Sequence, residues 1–206
     1  MKNNNKYWNK AYRTEHMPLI PSQFAAFTLN ELNSEEVKIL DIGCGNGRDS
    51  RFFGSFNKIV LGVDASPTVI EMNEDTNDNP NVSFKICDFS EDITKLIEEE
   101  YDVIYSRFFF HAISEEMEEK VFQETIKVIK PGARLFAEFR TDRDTKRIKI
   151  APKHFRRYIQ SEVFVQRLET FDFSIEYICE GIGYAKYKDE DAHVCRVIAK
   201  KSDLEK

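Results

Sequence analysis

Residues 40–50 read LDIGCGNGRDS. Three glycines, Gly43, Gly45 and Gly47, follow the apolar run VKIL and an acid, Asp41. A chain that gives up its side chains at alternate positions after a strand lets bare backbone approach a ligand. A helix starting behind such a turn presents N–H groups to it. Two further acids close comparable apolar runs, Asp64 at the end of KIVLGVD and Asp88 at the end of VSFKICD. A carboxylate placed like Asp64 accepts hydrogen bonds from both hydroxyls of a ribose. The pattern predicts a nucleotide-type site. Its spacing, G-x-G-x-G, differs from the dinucleotide fingerprint G-x-G-x-x-G, whose third glycine packs helix on strand; here that position holds Arg48. An NAD-linked oxidoreductase is therefore disfavoured.

Other residues suggest proton and anion chemistry. YSRFFFHAI, residues 105–113, leaves a fourth apolar run, and His111 is the one histidine near it. An imidazole there would take a proton from an attacking hydroxyl; the alternative is a histidine that packs or caps. Residues 140–157 hold eight Lys or Arg against two acids, in a chain of net charge −6. The stretch predicts a cover that binds an anionic acceptor, with His154, Arg156, Arg157 and Tyr158 as ligands. A solvated charged loop is the alternative. Glu138, Arg140, Tyr184 and Tyr187 are further pocket candidates. In the N-terminal arm, Tyr7, Trp8, Tyr12 and Arg13 predict either a lid that excludes water or simple docking on the outside.

The elements that must position these residues alternate. Strands are predicted over 37–42, 58–64, 82–88, 101–108 and 133–140, each short, apolar and bounded by turn residues. Helices are predicted over 66–74, with Ser66 as cap and Pro67 first in the helix, over 90–100 with Ser90 as cap, and over 114–130, stopping at Pro131–Gly132. A helix over 156–171 and strands over 173–181 and 193–201 complete the chain. The expected fold is α/β and doubly wound: a mostly parallel, seven-stranded sheet with an antiparallel C-terminal strand pair at its edge. In such sheets ligands bind at the carboxyl ends of the strands, where strand order reverses. The expected organisation is an N-terminal arm, 1–30, and one domain, 31–206.

The 206 residues suffice for one sizeable core, and 41% hydrophobic residues is a globular composition. The net charge disfavours a general nucleic-acid binder. No apolar run approaches the roughly 20 residues of a membrane helix, and the polar start lacks a signal-peptide core. A cytoplasmic protein is expected. Cys44, Cys87, Cys179 and Cys195 form no C-x-x-C pair and have no histidine at metal-ligand spacing, so reduced thiols and no metal are expected.

The ordered segments ILDIGCGNG, VDAS, CDF, YDVIYSR and IKPGARLFAEF together resemble the class I S-adenosylmethionine (SAM)-dependent methyltransferases, over roughly residues 37–200. The resemblance implies a Rossmann-like sheet, SAM as cofactor and S-adenosylhomocysteine (SAH) as product. It implies that Asp41 and the turn Gly43, Cys44, Gly45, Asn46 and Gly47 surround the methionine part. Asp64 would hold the ribose, Ala65 and Ser66 would lie near the adenine, Asp88 would bond its amino group and Phe89 would line the ring. Ser106 and Arg107 would sit near the sulfonium, with His111 and Arg107 as the catalytic candidates. A cationic sulfonium is poorly served by a positive phosphate cradle, and the turn carries no lysine. YWNKAYR, GCGNGRDS, YSRFFFHAI and HFRRYI more narrowly resemble small bacterial methyltransferases of surface-polysaccharide gene clusters, some acting on sugars and some on phosphoramidate groups. The implied reaction is O-methyl transfer to a small, anionic acceptor. Sugar hydroxyl, phosphoramidate oxygen, carboxylate and amine all stay open as acceptors. A tRNA or protein methyltransferase would favour a broad basic surface or an added recognition domain. A SAM-binding sensor or partner subunit, binding cofactor without turnover, is the non-enzymatic alternative.

Overall fold

The computed structural model describes residues 12, 18–32, 37–95, 97, 99–145 and 155–203. Helix α1 (Gln23–Glu31) precedes β1 (Lys38–Ile42), α2 (Arg48–Ser55), β2 (Ile59–Asp64), α3 (Pro67–Thr76) and β3 (Val82–Ile86). The chain then returns through β4 (Tyr101–Arg107), α4 (Glu115–Thr125), β5 (Ile129–Arg140), α5 (Ser161–Thr170) and β6 (Phe173–Gly181). A two-residue hairpin, β7 (Lys186–Tyr187) and β8 (Glu190–Asp191), leads into β9 (Val194–Lys201).

The seven-stranded sheet has the order β3-β2-β1-β4-β5-β9-β6. Strands β1 to β5 are parallel, and β9 is antiparallel to both neighbours. The C-terminal strands pair as expected, but β6 takes the edge and β9 the inner place. Burial on both faces explains the near-continuous apolar runs. Along β1, Leu40 and Ile42 face one core with α4 and α5, while Ile39 faces the other with Phe24 of α1, Phe53 of α2 and Val69 of α3. Part of the stretch expected as an arm belongs to this core: Phe24 and Ala25 have no exposed surface. Strand order reverses between β1 and β4, so their carboxyl ends form the crevice expected to take a ligand.

Three predicted helices are shorter than their sequence patterns. The helix expected over 114–130 ends at Thr125, because Ile129 is drawn into β5 as the register partner of Tyr101. Pro131–Gly132 then lies inside a strand, at a bulge. In the stretch expected as helix 90–100, the described residues form only a 3-10 turn, Ile93–Lys95. Ser90 caps no helix there; Asp92 Oδ1 instead takes the Thr94 amide at 3.2 Å and its hydroxyl at 2.8 Å, a local turn that competes with helix. The helix expected from 156 begins at Ser161. Residues before it dock as extended chain: Arg157 N donates to His111 O at 2.7 Å, and Ile159 N to Arg140 O at 3.2 Å. Among the described residues, no helix is long and apolar enough to cross a membrane.

Candidate active site

The glycine turn is built as its sequence suggests. Both Gly43 N and Cys44 N donate to Val63 O, at 2.8 and 3.0 Å, which folds the chain back over β2. Gly43 has φ +71°, and a Cβ there would lie 2.6 Å from the Phe109 ring. Gly47, at φ +69°, starts α2, and a Cβ there would meet Phe84 at 2.6 Å. Left-handed backbone in such close quarters admits only glycine. Asn73 of α3 ties the turn down by donating to Gly45 O at 2.7 Å.

A cavity of about 510 Å³ opens over this turn, within the usual range for small-ligand pockets. Asp41, Gly43, Cys44, Gly45, Asn46, Asp64, Ala65, Asp88, Phe89 and Arg107 line it, as does Tyr12 from the N-terminal arm. Thus ten of the residues expected to hold a cofactor converge, together with one aromatic from the arm. Gly47 and Ser66 do not line the cavity but start the helices α2 and α3; the Ser66 hydroxyl accepts from Val69 N.

One side of the cavity is acidic. Asp64 accepts from Gly45 N at 3.2 Å and Ser66 N at 2.9 Å; burial nonetheless raises its pKa. Burial pushes the Asp41 carboxyl up to about 8, against a 2.5 Å bond from Ser50 that lowers it, with the charges of Asp49 and Asp64 adding to the rise. Negative charge crowded into a buried site favours a positively charged occupant. Burial, then Asp64 and Cys44, also raise the Tyr12 phenol well above its usual value, so it stays protonated beside Gly45.

The β4 side is different, and the sequence reading missed Arg48, Asp49, Tyr105 and Phe155 there. Arg48, Asp49 and Tyr105 line the cavity there, as do Phe108, Phe109 and Phe155. Asp49 accepts from Ser22 N at 2.7 Å, Ser22 Oγ at 2.8 Å and Tyr105 Oη at 2.8 Å. Strand alternation was the available signal. Tyr105 and Arg107 are two apart and share a face, whereas Ser106 points away, fully buried, its hydroxyl without a hydrogen-bond partner among the described residues.

Several residues expected at the acceptor site lie outside the cavity. His111, expected at the mouth, is only 2% exposed; its Nδ1 accepts from Arg140 N at 3.3 Å and its ring packs edge-on to Phe108. Arg140 is paired with Asp144 at 2.7 Å and with Glu190. Arg157 is bound by Glu118 and lies 3.6 Å from Glu115. Arg156 and Tyr158 bond to each other. Glu138 is fully buried between Arg107 and Arg196, and Tyr184 stacks on Arg196. Tyr187 belongs to the β7–β8 hairpin. Arg140 and Arg157 pair inward in part with acids from distant chain, Glu190 and Glu118, which lie beyond any local charge count. Tyr7, Trp8, Arg13 and His154 lie outside the described residues.

Residues 39–132, which hold the glycine turn and the three acids, match the family model described as a methyltransferase domain. Around it, the chain is 25% identical over 200 residues to phosphoethanolamine N-methyltransferase 1 of Triticum aestivum, covering 91% of this chain and 38% of that protein. It is 25% identical over 132 residues to a ubiquinone biosynthesis O-methyltransferase of Coxiella burnetii, covering 63% and 55%. The chain therefore spans less than two thirds of the length of either relative. A SAM-dependent methyltransferase structure from Methanosarcina mazei superposes with a TM-score of 0.71 at 19% identity, over 86% of this chain and 98% of that one. That likeness shows the fold, a Rossmann-like sheet of the kind in the Methanosarcina structure.

Proposed function

We propose that the cavity binds SAM and that the chain transfers its methyl group to a small acceptor entering on the β4 side. The carrying observation is the row of acids Asp41, Asp64 and Asp88 at the ends of β1, β2 and β3, around a glycine turn that opens into the cavity. The residues fit the group. Asp64 stands where a ribose diol needs an acceptor, and Asp88, Ala65 and Phe89 where an adenine needs a bonding partner and walls. Asp41, which a nearby cation would favour in its ionised form, suits a positively charged occupant. SAM, when bound, supplies an electrophilic methyl group on a sulfonium. Arg107, Phe108 and Phe109 orient what lies against it, and most of the acceleration comes from that positioning. Tyr12 closes the arm over Gly45 and keeps water out.

His111 acts as a positioning residue in this reading. Its Nδ1 accepts the Arg140 amide, which places the ring proton on Nε2 and leaves no lone pair for an incoming hydroxyl. An acceptor that is already anionic, or a free amine, needs no such base. The narrower proposal is O-methyl transfer to a small anionic acceptor in surface-polysaccharide biosynthesis, such as a phosphoramidate. It rests on the segments 7–13, 43–50, 105–113 and 154–159 that resemble such enzymes. The wheat relative, a phosphoethanolamine N-methyltransferase, keeps nitrogen as the second reading.

The test is SAH binding by calorimetry, followed by SAH formation from SAM with matched acceptors: a sugar- or nucleotide-linked phosphate or phosphoramidate, its neutral counterpart, and phosphoethanolamine. SAH binding with turnover of the anionic oxygen acceptors is expected. Turnover of phosphoethanolamine alone selects the nitrogen reading. A protein that binds no SAH overturns the methyltransferase reading, and one that binds SAH but turns over no acceptor is a sensor or partner subunit.

A further inference from the structure

At the β4 end of the cavity the charges do not cancel. Arg107, Glu138 and Arg196 are register partners on three adjacent strands, β4, β5 and β9. Arg107 Nε donates to Glu138 Oε1 at 2.9 Å, and Arg196 Nε to Oε2 at 2.7 Å. One buried carboxylate thus serves two guanidinium groups. Arg196 is fixed from behind by Phe24, Phe27 and the carbonyl of Tyr184. Both oxygens of Glu138 face Nε atoms, so the Nη1 and Nη2 groups of Arg107 have no hydrogen-bond partner among the described residues, and Arg107 lines the cavity.

Arg48 lines the same end. Its Nη1 donates to Ile20 O at 3.2 Å, and its nearest acid among the described residues, Asp49, is 3.8 Å away and already accepts three hydrogen bonds from Ser22 and Tyr105. Burial, and then the charge of Arg107, destabilise the Arg48 cation, so the two guanidiniums feel each other across the wall. Three arginines against two acids leave one positive charge in a wall largely removed from water. The opposite half of the cavity carries three acids, Asp41, Asp64 and Asp88, so the cavity is acidic at one end and cationic at the other.

We propose that Arg48 and Arg107 form a subsite for one carboxylate- or phosphate-type anion, with Glu138 and Arg196 as positioning residues that aim Arg107. The planar fork of Arg107, with both Nη groups turned to no partner among the described residues, suits such an anion better than a point charge. Which molecule carries the anion, the acceptor or the cofactor through its own carboxylate, rests on the methyltransferase reading; the subsite itself does not.

The experiment titrates inorganic phosphate, SAH and an SAH analogue lacking the carboxylate into the wild type, Arg48→Gln and Arg107→Gln, at fixed ionic strength. At least a tenfold loss in both variants is expected, in one of two forms. If the acceptor carries the anion, phosphate binds the SAH-saturated wild type, the variants lose phosphate affinity, and SAH affinity is unchanged. If the cofactor carries it, SAH affinity falls in the variants, affinity for the decarboxylated analogue does not, and SAH displaces phosphate from the wild type. Equal binding of phosphate and SAH by all three proteins, or no phosphate binding together with unchanged SAH affinity, overturns the subsite. Where a glutamine variant does not fold, Arg48→Lys or Arg107→Lys, which keep the charge and lose the fork, are read in the same way. A wild type that binds phosphate through the arginines but no SAH keeps the subsite and removes the methyltransferase reading.

Discussion

Asp41 does two things at once: it costs the empty protein stability and it draws a cation in. Its carboxyl is raised to about 8 in the fold, chiefly by burial. The native state therefore holds a proton between about pH 4 and 8 that the unfolded chain has shed. The contribution is fully present below the unfolded value and is lost as pH rises through about 8. The cofactor-free protein should show a falling Tm over that interval, and Asp41→Asn should flatten it. A cation seated at Asp41 needs the carboxylate, so SAM affinity should rise about tenfold per pH unit up to about 8 and then level; calorimetry across pH checks this. His111→Asn keeps an acceptor for the Arg140 amide and should retain kcat within about threefold with an unchanged pH–rate profile, if the ring only positions; a loss of about a hundredfold or more would restore it as the base. The glycine turn and its three acids were legible because backbone conformation and strand ends leave local marks. Arg48, Asp49 and Tyr105 were not, because their roles depend on partners 27 to 56 positions away, such as Ser22 for Asp49 and Asp49 for Tyr105.

The elements hold the site through few, specific devices. Gly47 starts α2 in the left-handed region with Phe84 packed against it. Gly47→Ala should cost about 1–3 kcal/mol, combining backbone strain with a shift of a core ring, measurable by urea unfolding. On the opposite side of the sheet, Glu118 of α4 is 2% exposed and joins Arg157 to Arg167 at the start of α5's packing. Glu118→Ala should destabilise by roughly 2–3 kcal/mol, less than a fully buried ion pair, because both arginines keep some water. Most strands of the large sheet were read to within two residues, since each is short, apolar and punctuated; β5 starts four residues earlier than expected, at Ile129. Helix ends were not: 114–130 keeps its apolar period beyond Thr125, yet pairing of Ile129 with Tyr101 outweighs it. The extended docking of 156–160 under Arg140 and His111 is likewise a tertiary decision that no helical pattern records.

For the molecule as a whole, ligand binding and stability are one quantity. SAH at about a hundred times its Kd should add about 2.7 kcal/mol, a Tm rise of about 5–10 °C for a chain of this size; no shift at that excess would contradict a cavity preorganised for it. The architecture was the most legible level, because alternation of strand and helix leaves few topologies once crossovers must be right-handed. The place of β9 was not written in its residues. That strand fills the gap between β5 and β6 and supplies Arg196 to the row that holds Arg107. It is also the last strand of the sheet to leave the ribosome. Until it arrives, β5 presents an unpaired edge that carries Leu135, Phe136 and Phe139, and β6 has no partner in the sheet, the kind of surface on which nascent chains stick to one another. Closing the sheet and arming the cationic end of the cavity are therefore the same event.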